Sequence, residues 1–200
     1  MGALRCLIMV SMQTGERVVR AGDLLVATPE LTDPNFAGTV VLMLDVDESG
    51  SLGVVLNRPS SLVVGEILAP WQGLVAGPPV CFDGGPVGRD GALALALARD
   101  LDEAPIGFRP VSGRLGLLDL DTPVELVQGS LASLRVFVGY AGWGAEQLED
   151  EIEAGAWYTV GSETSDAFRV DTATLWRDVL RRQPGDLAWH STRTLHPELN

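Results

Sequence analysis

The chain has 200 residues, of which 46% are hydrophobic and 20% charged, and its formal net charge is −13. This composition excludes a disordered chain, and the length allows a sizeable core without disulfides. All 14 basic residues are arginine, which excludes chemistry that needs a lysine ammonium group, such as a Schiff base or a lysine-bearing phosphate loop. The negative charge also argues against binding to nucleic acid or to anionic membranes.

The location and the domain organisation follow from the two cysteines and from the apolar segments. Cys6 and Cys81 form neither a disulfide framework nor a metal-ligand spacing, which suits a reducing compartment. The apolar segment near the N-terminus is interrupted by an arginine and too short for a signal sequence, and no run reaches the length of a membrane helix. We therefore predict a cytoplasmic protein with a loosely ordered N-terminal extension (1–21) and a single domain (22–200).

The first part of the chain predicts a strand, a turn and a hairpin. Residues 24–27 form an apolar run stopped by Thr-Pro, which indicates a buried strand, and residues 33–36 (Asp-Pro-Asn-Phe) are typical of a turn. Residues 39–45 and 51–56 are β-branched and apolar, with an Asp-Glu-Ser-Gly segment near the turn between them, so they predict an antiparallel hairpin. Residues 62–68 favour a short helix.

Further strands and two longer helices follow. Short apolar or alternating runs predict strands at 80–82, 92–97, 114–120, 134–140 and 157–160. Residues 145–154 predict a helix with an acidic outer face, ended by Gly155, and Asp171 is predicted to cap a last helix that ends before Pro184. Hairpins, irregular loops and few helices together indicate the α+β class.

Three segments are candidates for a binding site because they join or follow predicted strands: 33–36, 83–86 and the glycine-rich 139–144, interpreted as a loop that opens a helix. Glycine lets backbone N–H groups approach a ligand, and helix N-termini attract anions. The alternative is that these glycines serve tight turns and that Trp143 fills the core. The candidate ligand-binding residues are Asp33, Asn57, Asp83, Gly84, Gly85, Tyr140 and Trp143.

Four blocks of sequence resemble the YqgE/AlgH family of bacterial proteins. The first is residues 22–27 with Pro29, Leu31 and residues 33–36, and the second is Gly50 with residues 53–59. The third is residues 84–87, and the fourth is residues 139–144 followed by 147–149, 151–152 and 155–157. The resemblance covers about residues 22–190. It implies a single α+β domain with a branched, largely antiparallel sheet and a few packed helices. It brings no catalytic residues, since the family is described as uncharacterised, with one branch labelled a transcriptional regulator.

Catalytic, metal and DNA-binding sites have little support in the sequence. A Cys81–His190 pair is less favoured than a buried structural cysteine, and the cysteines and histidines are not spaced as zinc ligands. The acidic run 146–153 lies on one predicted helix, where a solvated face is favoured over a cation site. Arg177, Arg181 and Arg182 cluster on the last helix without a helix-turn-helix pattern. We therefore expect no catalytic residues, no metal and no cofactor.

Three functions remain in view, and a true DNA-binding regulator is the least favoured of them because no helix-turn-helix pattern is found. The favoured one is a non-enzymatic binding or regulatory protein that acts through an unknown protein or small-molecule partner, with any transcriptional effect indirect and no membrane association. The alternative is a small-molecule- or nucleotide-binding enzyme with its site among the glycine-rich segments and Asp33 or Asp83 as acid or base. No Gly-x-Gly-x-x-Gly or Walker pattern supports a nucleotide.

Overall fold

Alternating apolar residues build one curled, largely antiparallel sheet of ten strands in the computed structural model, which describes residues 18–192. The strands are β1 (Asp23–Ala27), β2 (Val40–Asp47), β3 (Gly50–Val55), β4 (Pro59–Val63), β5 (Val80–Asp83), β6 (Val87–Ala98), β7 (Phe108–Ser112), β8 (Leu115–Leu118), β9 (Leu131–Gly144) and β10 (Trp157–Gly161). Most of the predicted extension, residues 1–17, lies outside the described residues. Val19, at its end, is buried against the sheet.

Within residues 18–192, six short helices accompany the sheet. They are α1 (Val64–Ile67), α2 (Val124–Val127), α3 (Gln147–Glu153), α4 (Thr164–Phe168), α5 (Leu175–Arg181) and α6 (Leu187–His190), with a 3₁₀ turn at Ala69–Trp71. The α+β prediction is confirmed at this level, as one domain with a curled sheet and several helices. No helix within residues 18–192 is long and apolar enough to cross a bilayer.

The main path of the sheet runs β10-β1-β2-β3-β9-β6-β8-β7, and β4 and β5 branch from it. The predicted hairpin is confirmed, because β2 and β3 pair antiparallel from Val41↔Val55 to Asp47↔Gly50. Strand β5 joins the branch by pairing parallel with β9 and antiparallel with β4.

Strand β9 changes its partner along one edge. That edge pairs with β5 at Phe137 and Val138, and then with β3 from Ala141 to Gly144. The change occurs at Gly139, whose φ of +68° favours glycine. The prediction of a glycine-rich loop at 139–144 is therefore wrong: these residues continue a fourteen-residue strand. Gly139 lets the backbone of Gly85 and Val87 pack closely against the strand.

Three apolar clusters stabilise the sheet. The largest lies on the inner face of the curl and includes leucines and valines from β1 to β3, Phe82, Phe137 and Trp176. Helix α5 contributes to it, and the Trp176 indole N–H donates to the carbonyl oxygen of Ala27 at 2.8 Å. The other two clusters lie on outer faces, one under α3 and one under α1 and α2. The helices thus fill part of the curl and cover two of its outer surfaces.

Arg135 is buried on the inner face of β9 and is 1% exposed. Its Nη2 donates to the carbonyl oxygens of Gly77 at 2.8 Å and Arg169 at 2.9 Å, and its guanidinium lies 4.1 Å from the centre of the Phe82 ring. Burial lowers the pKa of Arg135 to about 10, so it stays charged at neutral pH. It therefore joins two loops to the sheet.

The last helices are held by ion pairs rather than by the predicted cap. Asp171 does not cap α5, whose N-cap is Thr174; its carboxylate instead accepts a hydrogen bond from the Ala173 N–H at 3.0 Å. Arg182 makes a bidentate pair with the buried Asp166, which raises the pKa of Arg182. Arg181 pairs with Asp178 at 3.3 Å. Two of the three clustered arginines are thus engaged within the protein.

Gly84 provides a stability test of the partner change on β9. A Cβ at Gly84 would overlap the carbonyl oxygen of Gly139, which is backbone and cannot move aside. We expect Gly84→Ala to lower the free energy of unfolding by at least about 2 kcal/mol, as over-packing does. The measurement is urea unfolding.

Gly129→Ala is the matched control, because a Cβ there meets no atom within 4 Å. It should change the free energy of unfolding by less than about 1 kcal/mol. Equal stability of the two variants would contradict the close approach of the two backbones.

Candidate functional site

The seven candidate residues do not share one surface, because β9 separates them. Successive side chains of a strand point to opposite faces. Trp143 and Ala141 therefore face the outer cluster under α3, whereas Tyr140 packs against the inner cluster. The two aromatic candidates on β9 belong to different surroundings.

On the outer face, Trp143 is part of an aromatic cluster. Its ring lies 5.9 Å from that of Phe36 and 6.0 Å from that of Trp157, and Phe36 and Trp157 are 5.6 Å apart. Trp143 is only 5% exposed. The first and third candidate segments are thus in contact, through a packed apolar cluster.

The carboxylate of Glu151 joins this cluster to α3. Its Oε2 accepts the indole N–H of Trp143 at 3.0 Å and that of Trp157 at 2.9 Å, and its Oε1 accepts from the Gln147 amide at 3.0 Å. Gln147 in turn accepts the Gly144 N–H at 3.0 Å. The sequence suggested a solvated acidic face along α3. Glu151 is an exception, because its carboxylate accepts three hydrogen bonds from the protein.

Asp33, Asn57 and their neighbours fix the turn that carries Phe36. Asp33 accepts the Asn35 N–H at 2.7 Å, and Asn57 bridges Gly38 and Val40 by accepting one hydrogen bond and donating another. The Arg58 guanidinium donates to three carbonyl oxygens of the same turn, those of Pro34, Asn35 and Ala37. All these contacts are made with the protein's own backbone.

Asp83, Gly84 and Gly85 lie where β5 meets β9. Asp83 pairs with Arg89 at 3.1 Å and accepts the Gly85 N–H at 3.4 Å. Gly85 packs against the backbone of Tyr140 so closely that a side chain would not fit. The second and third candidate segments are thus also in contact, backbone to backbone.

The open surface lies on the inner face, as two adjoining clefts of about 400 and 450 Å³. The residues that line the smaller cleft are Ala92, Leu93, Gly107, Arg109, Leu117, Leu118, Asp119, Leu120 and Asp121. The residues that line the larger cleft are Asp45, Asp47, Ser49, Gly50, Ser51, Leu52, Val87, Arg109, Tyr140, Gly142 and Trp143. Arg109 lines both, and we call the combined surface the seam groove.

The seam groove exists because the curl of the sheet does not close. Strand β7, at one end of the path, approaches β2, and no strand pairing joins them within residues 18–192. Arg109 on β7 instead pairs with Asp45 on β2 at 3.0 Å, and both side chains are 52% exposed. Such an exposed ion pair is worth about 0–1 kcal/mol, so it bridges the groove without locking it.

The walls of the seam groove are apolar and its rim is charged. Leu52, Leu93, Leu117 and Tyr140 extend from the inner cluster into it. The Tyr140 hydroxyl makes no hydrogen bond to any part of the chain between residues 18 and 192. Apolar walls with a few polar groups are typical of ligand sites, which often lie in the mouths of barrels.

Other reactive groups lie away from the seam groove. Cys81 is buried beneath α1, where burial raises the pKa of its thiol, and His190 stacks on Tyr158 with ring centres 4.9 Å apart. Neither residue lines either cleft. Among residues 18–192, no group of three or more His, Cys, Asp or Glu side chains has the arrangement of a metal site.

Sequence reasoning found Tyr140 and Trp143 but missed Arg109 and Asp45. Arg109 lies on β7, which was not predicted, although Phe108-Arg109-Pro110-Val111 alternates and its proline suits an edge strand. The sequence predicts Asp45 as part of the hairpin, but its ion-pair partner, Arg109, lies 64 residues later in the chain. No local signal joins residues so far apart.

Glu151 provides a test of the outer cluster. A glutamine has one acceptor oxygen and a donating amide, so Glu151→Gln cannot accept from both indoles and from Gln147. We expect this variant to lose about 1–3 kcal/mol of unfolding free energy, because the two buried indole N–H groups then donate to a neutral oxygen instead of a charged one. The measurement is chemical unfolding followed by tryptophan fluorescence.

Glu149→Gln, on the exposed side of the same helix, is the control and should be within about 0.5 kcal/mol of the parent. A loss of the same size in both variants would mean that helix charge, and not the indole contacts, explains the effect.

Comparison with known proteins identifies the family. A family model described as AlgH-like matches residues 24–188. A UPF0301 protein of Streptomyces coelicolor is 53% identical over 182 residues, which are 90% of this chain and 94% of that protein, and a UPF0301 protein of Thermobifida fusca is 48% identical over 92% of this chain and 98% of its own.

Two solved structures share the fold. The crystal structure of a Corynebacterium diphtheriae protein is similar with a TM-score of 0.83 and 28% identity, covering 88% of this chain and 94% of its own. The solution structure of the AlgH protein from Pseudomonas aeruginosa has a TM-score of 0.65 and 26% identity, covering 87% and 94%. The resemblance found in the four sequence blocks is confirmed: this chain belongs to the AlgH-like, UPF0301 family.

Proposed function

We propose that this chain is a non-enzymatic binding protein and that its binding site is the seam groove. Any regulatory effect is exerted through the bound partner rather than through contact with DNA. The observation that carries the proposal is the pair of adjoining clefts, which meet at Arg109 on the inner face of the unclosed sheet.

The contacts of the groove residues support this assignment. The outer cluster, the turn at 33–36 and the glycines at 84–85 use their polar groups on the protein's own backbone and side chains. The seam groove instead presents solvent-accessible leucines, a tyrosine hydroxyl and an ion pair weak enough to exchange partners. Of the candidate residues, Tyr140 extends into the groove, and Trp143 lines it although its indole packs in the outer cluster.

The charge distribution supports an indirect route for regulation. Arg181 at the end of α5 and Arg182, its C-cap, are paired with carboxylates, and the seam groove carries more carboxylates than cations. Each phosphate that DNA presents needs a free cation nearby.

The proposal is tested by protein-observed NMR with an isotope-labelled chain and a fragment set that holds equal numbers of cationic, anionic and neutral members. We expect the shifted resonances to fall on Leu52, Leu93, Arg109 and Leu117, and mass spectrometry should recover the fragments unchanged. Gly142→Leu should abolish the shifts, because its side chain would enter the groove at ordinary contact distance, with Tyr140 3.5 Å from the new Cβ.

Gly129→Leu is the matched control, since it adds the same side chain in open space away from the groove. It should leave fragment binding unchanged. Shifts that persist in Gly142→Leu, or that map to the segments 33–36 and 83–86, would place the site elsewhere. Chemical conversion of a fragment would contradict a non-enzymatic role.

A further inference from the structure

Resting on the binding role proposed above, we infer that the seam groove docks an extended segment of a partner protein that bears lysine or arginine side chains between apolar ones. This occupant follows from the charge of the rim, the apolar walls and the two strand edges that border the groove.

The rim of the groove is acidic at both ends. Asp119 and Asp121 lie beside the smaller cleft, and Asp45 and Asp47 beside the larger one. Among residues 18–192, Arg109 is the single cation that lines the groove, and Asp45 already pairs with it. The carboxylate of Asp121 makes no hydrogen bond or ion pair with the described part of the chain, so it is available to a cation. Separated carboxylates match several cations along a chain better than one compact cation.

The walls between the carboxylates suit the stems of basic side chains. Leu93 and Leu117 form the wall of one cleft, and Leu52 and Tyr140 form that of the other. Lysine and arginine lay their methylene stems along apolar surface while the charged end reaches a polar rim. The Tyr140 ring also provides an aromatic face, to which cations are attracted. Apolar side chains between the cations would cover the leucines.

The edges of the groove favour an extended backbone. Within residues 18–192, strand β7 pairs only with β8. The pairing of β1 with β2 ends at Leu42, so residues 44–47 of β2 have no strand partner on that edge. These two unpaired edges are neighbours. An extended peptide can bond to such edges, and alternate side chains then enter pockets. Pro110 removes one donor from β7, which leaves the side-chain contacts to supply much of the affinity.

The same charges disfavour two other occupants. A second copy of this chain carries a formal net charge of −13 and no lysine, so its carboxylates would repel those of the groove. DNA is repelled for the same reason. A positively charged partner gains long-range attraction, which increases its association rate.

The experiment uses fluorescence anisotropy with short labelled peptides that are blocked at both ends. The probe alternates leucine and lysine; the comparison peptides replace lysine with glutamate, or leucine with serine. We expect the leucine–lysine peptide to bind, the glutamate peptide not to bind, and the serine–lysine peptide to bind more weakly. Raising the ionic strength from about 0.1 M to about 1 M shortens the Debye length from about 10 Å to about 3 Å and should weaken binding.

Two double variants, each of which loses two negative charges, test where the peptide binds. Asp45→Asn with Asp121→Asn should weaken the leucine–lysine peptide about tenfold, the effect of two partly exposed ion pairs. Glu149→Gln with Glu153→Gln, on exposed positions of α3 away from the groove, should leave the affinity within about twofold. Melting temperatures of both double variants should remain near that of the parent, so that a loss of binding is not a loss of fold.

Several results would overturn the inference. They are equal binding of the glutamate peptide, equal binding of the serine–lysine peptide or of free spermidine, and equal loss of affinity in the two double variants. If fragments bind in the seam groove but the leucine–lysine peptide does not, the inference fails and the binding function stands. If Gly142→Leu affects neither fragments nor peptides, both fail.

Discussion

The change of partner along one edge of β9 constrains the whole structure. Up to Val138 this edge pairs with β5, and from Ala141 onward it pairs with β3, while the opposite edge pairs with β6. Two backbones must pass each other where the change occurs, at Gly84 and Gly139. Because only glycine allows that approach, the branching of the sheet depends on these residues having no side chain.

The four sequence blocks that resemble the family lie together around this point. Gly84 and Gly85 pack on β9, and the strand beyond them carries Trp143 to the outer face. There Phe36 and Trp157 complete the aromatic cluster, while Glu151 on α3 accepts both indole N–H groups. Segments over a hundred residues apart in sequence are thus brought together by packing and hydrogen bonding. The seam groove lies mainly on the other face, although Trp143 also lines it.

The seam groove is a consequence of the same curl. Strands β7 and β2 come close enough for an ion pair between Arg109 and Asp45, but no strand pairing joins them in the described chain. A closed ladder would bury this edge, as barrels do. The opening exposes leucines of the inner cluster beside aspartates, and this combination of apolar walls and carboxylates underlies both proposals made for the groove.

Local patterns in the sequence determined much of the secondary structure. The hairpin of β2 and β3, the alternating strand β6 and the apolar face of α5 are each visible in consecutive residues. The same reasoning failed at 139–144, because glycine marks a turn locally, whereas here it is required by a backbone that arrives from residues 84–85. The sequence also did not show that Tyr140 and Trp143 pack against different clusters, or that Arg109 forms an ion pair with Asp45. Those relations depend on strand register and on the curl of the sheet, which are set by contacts between distant segments and decided only by the tertiary structure.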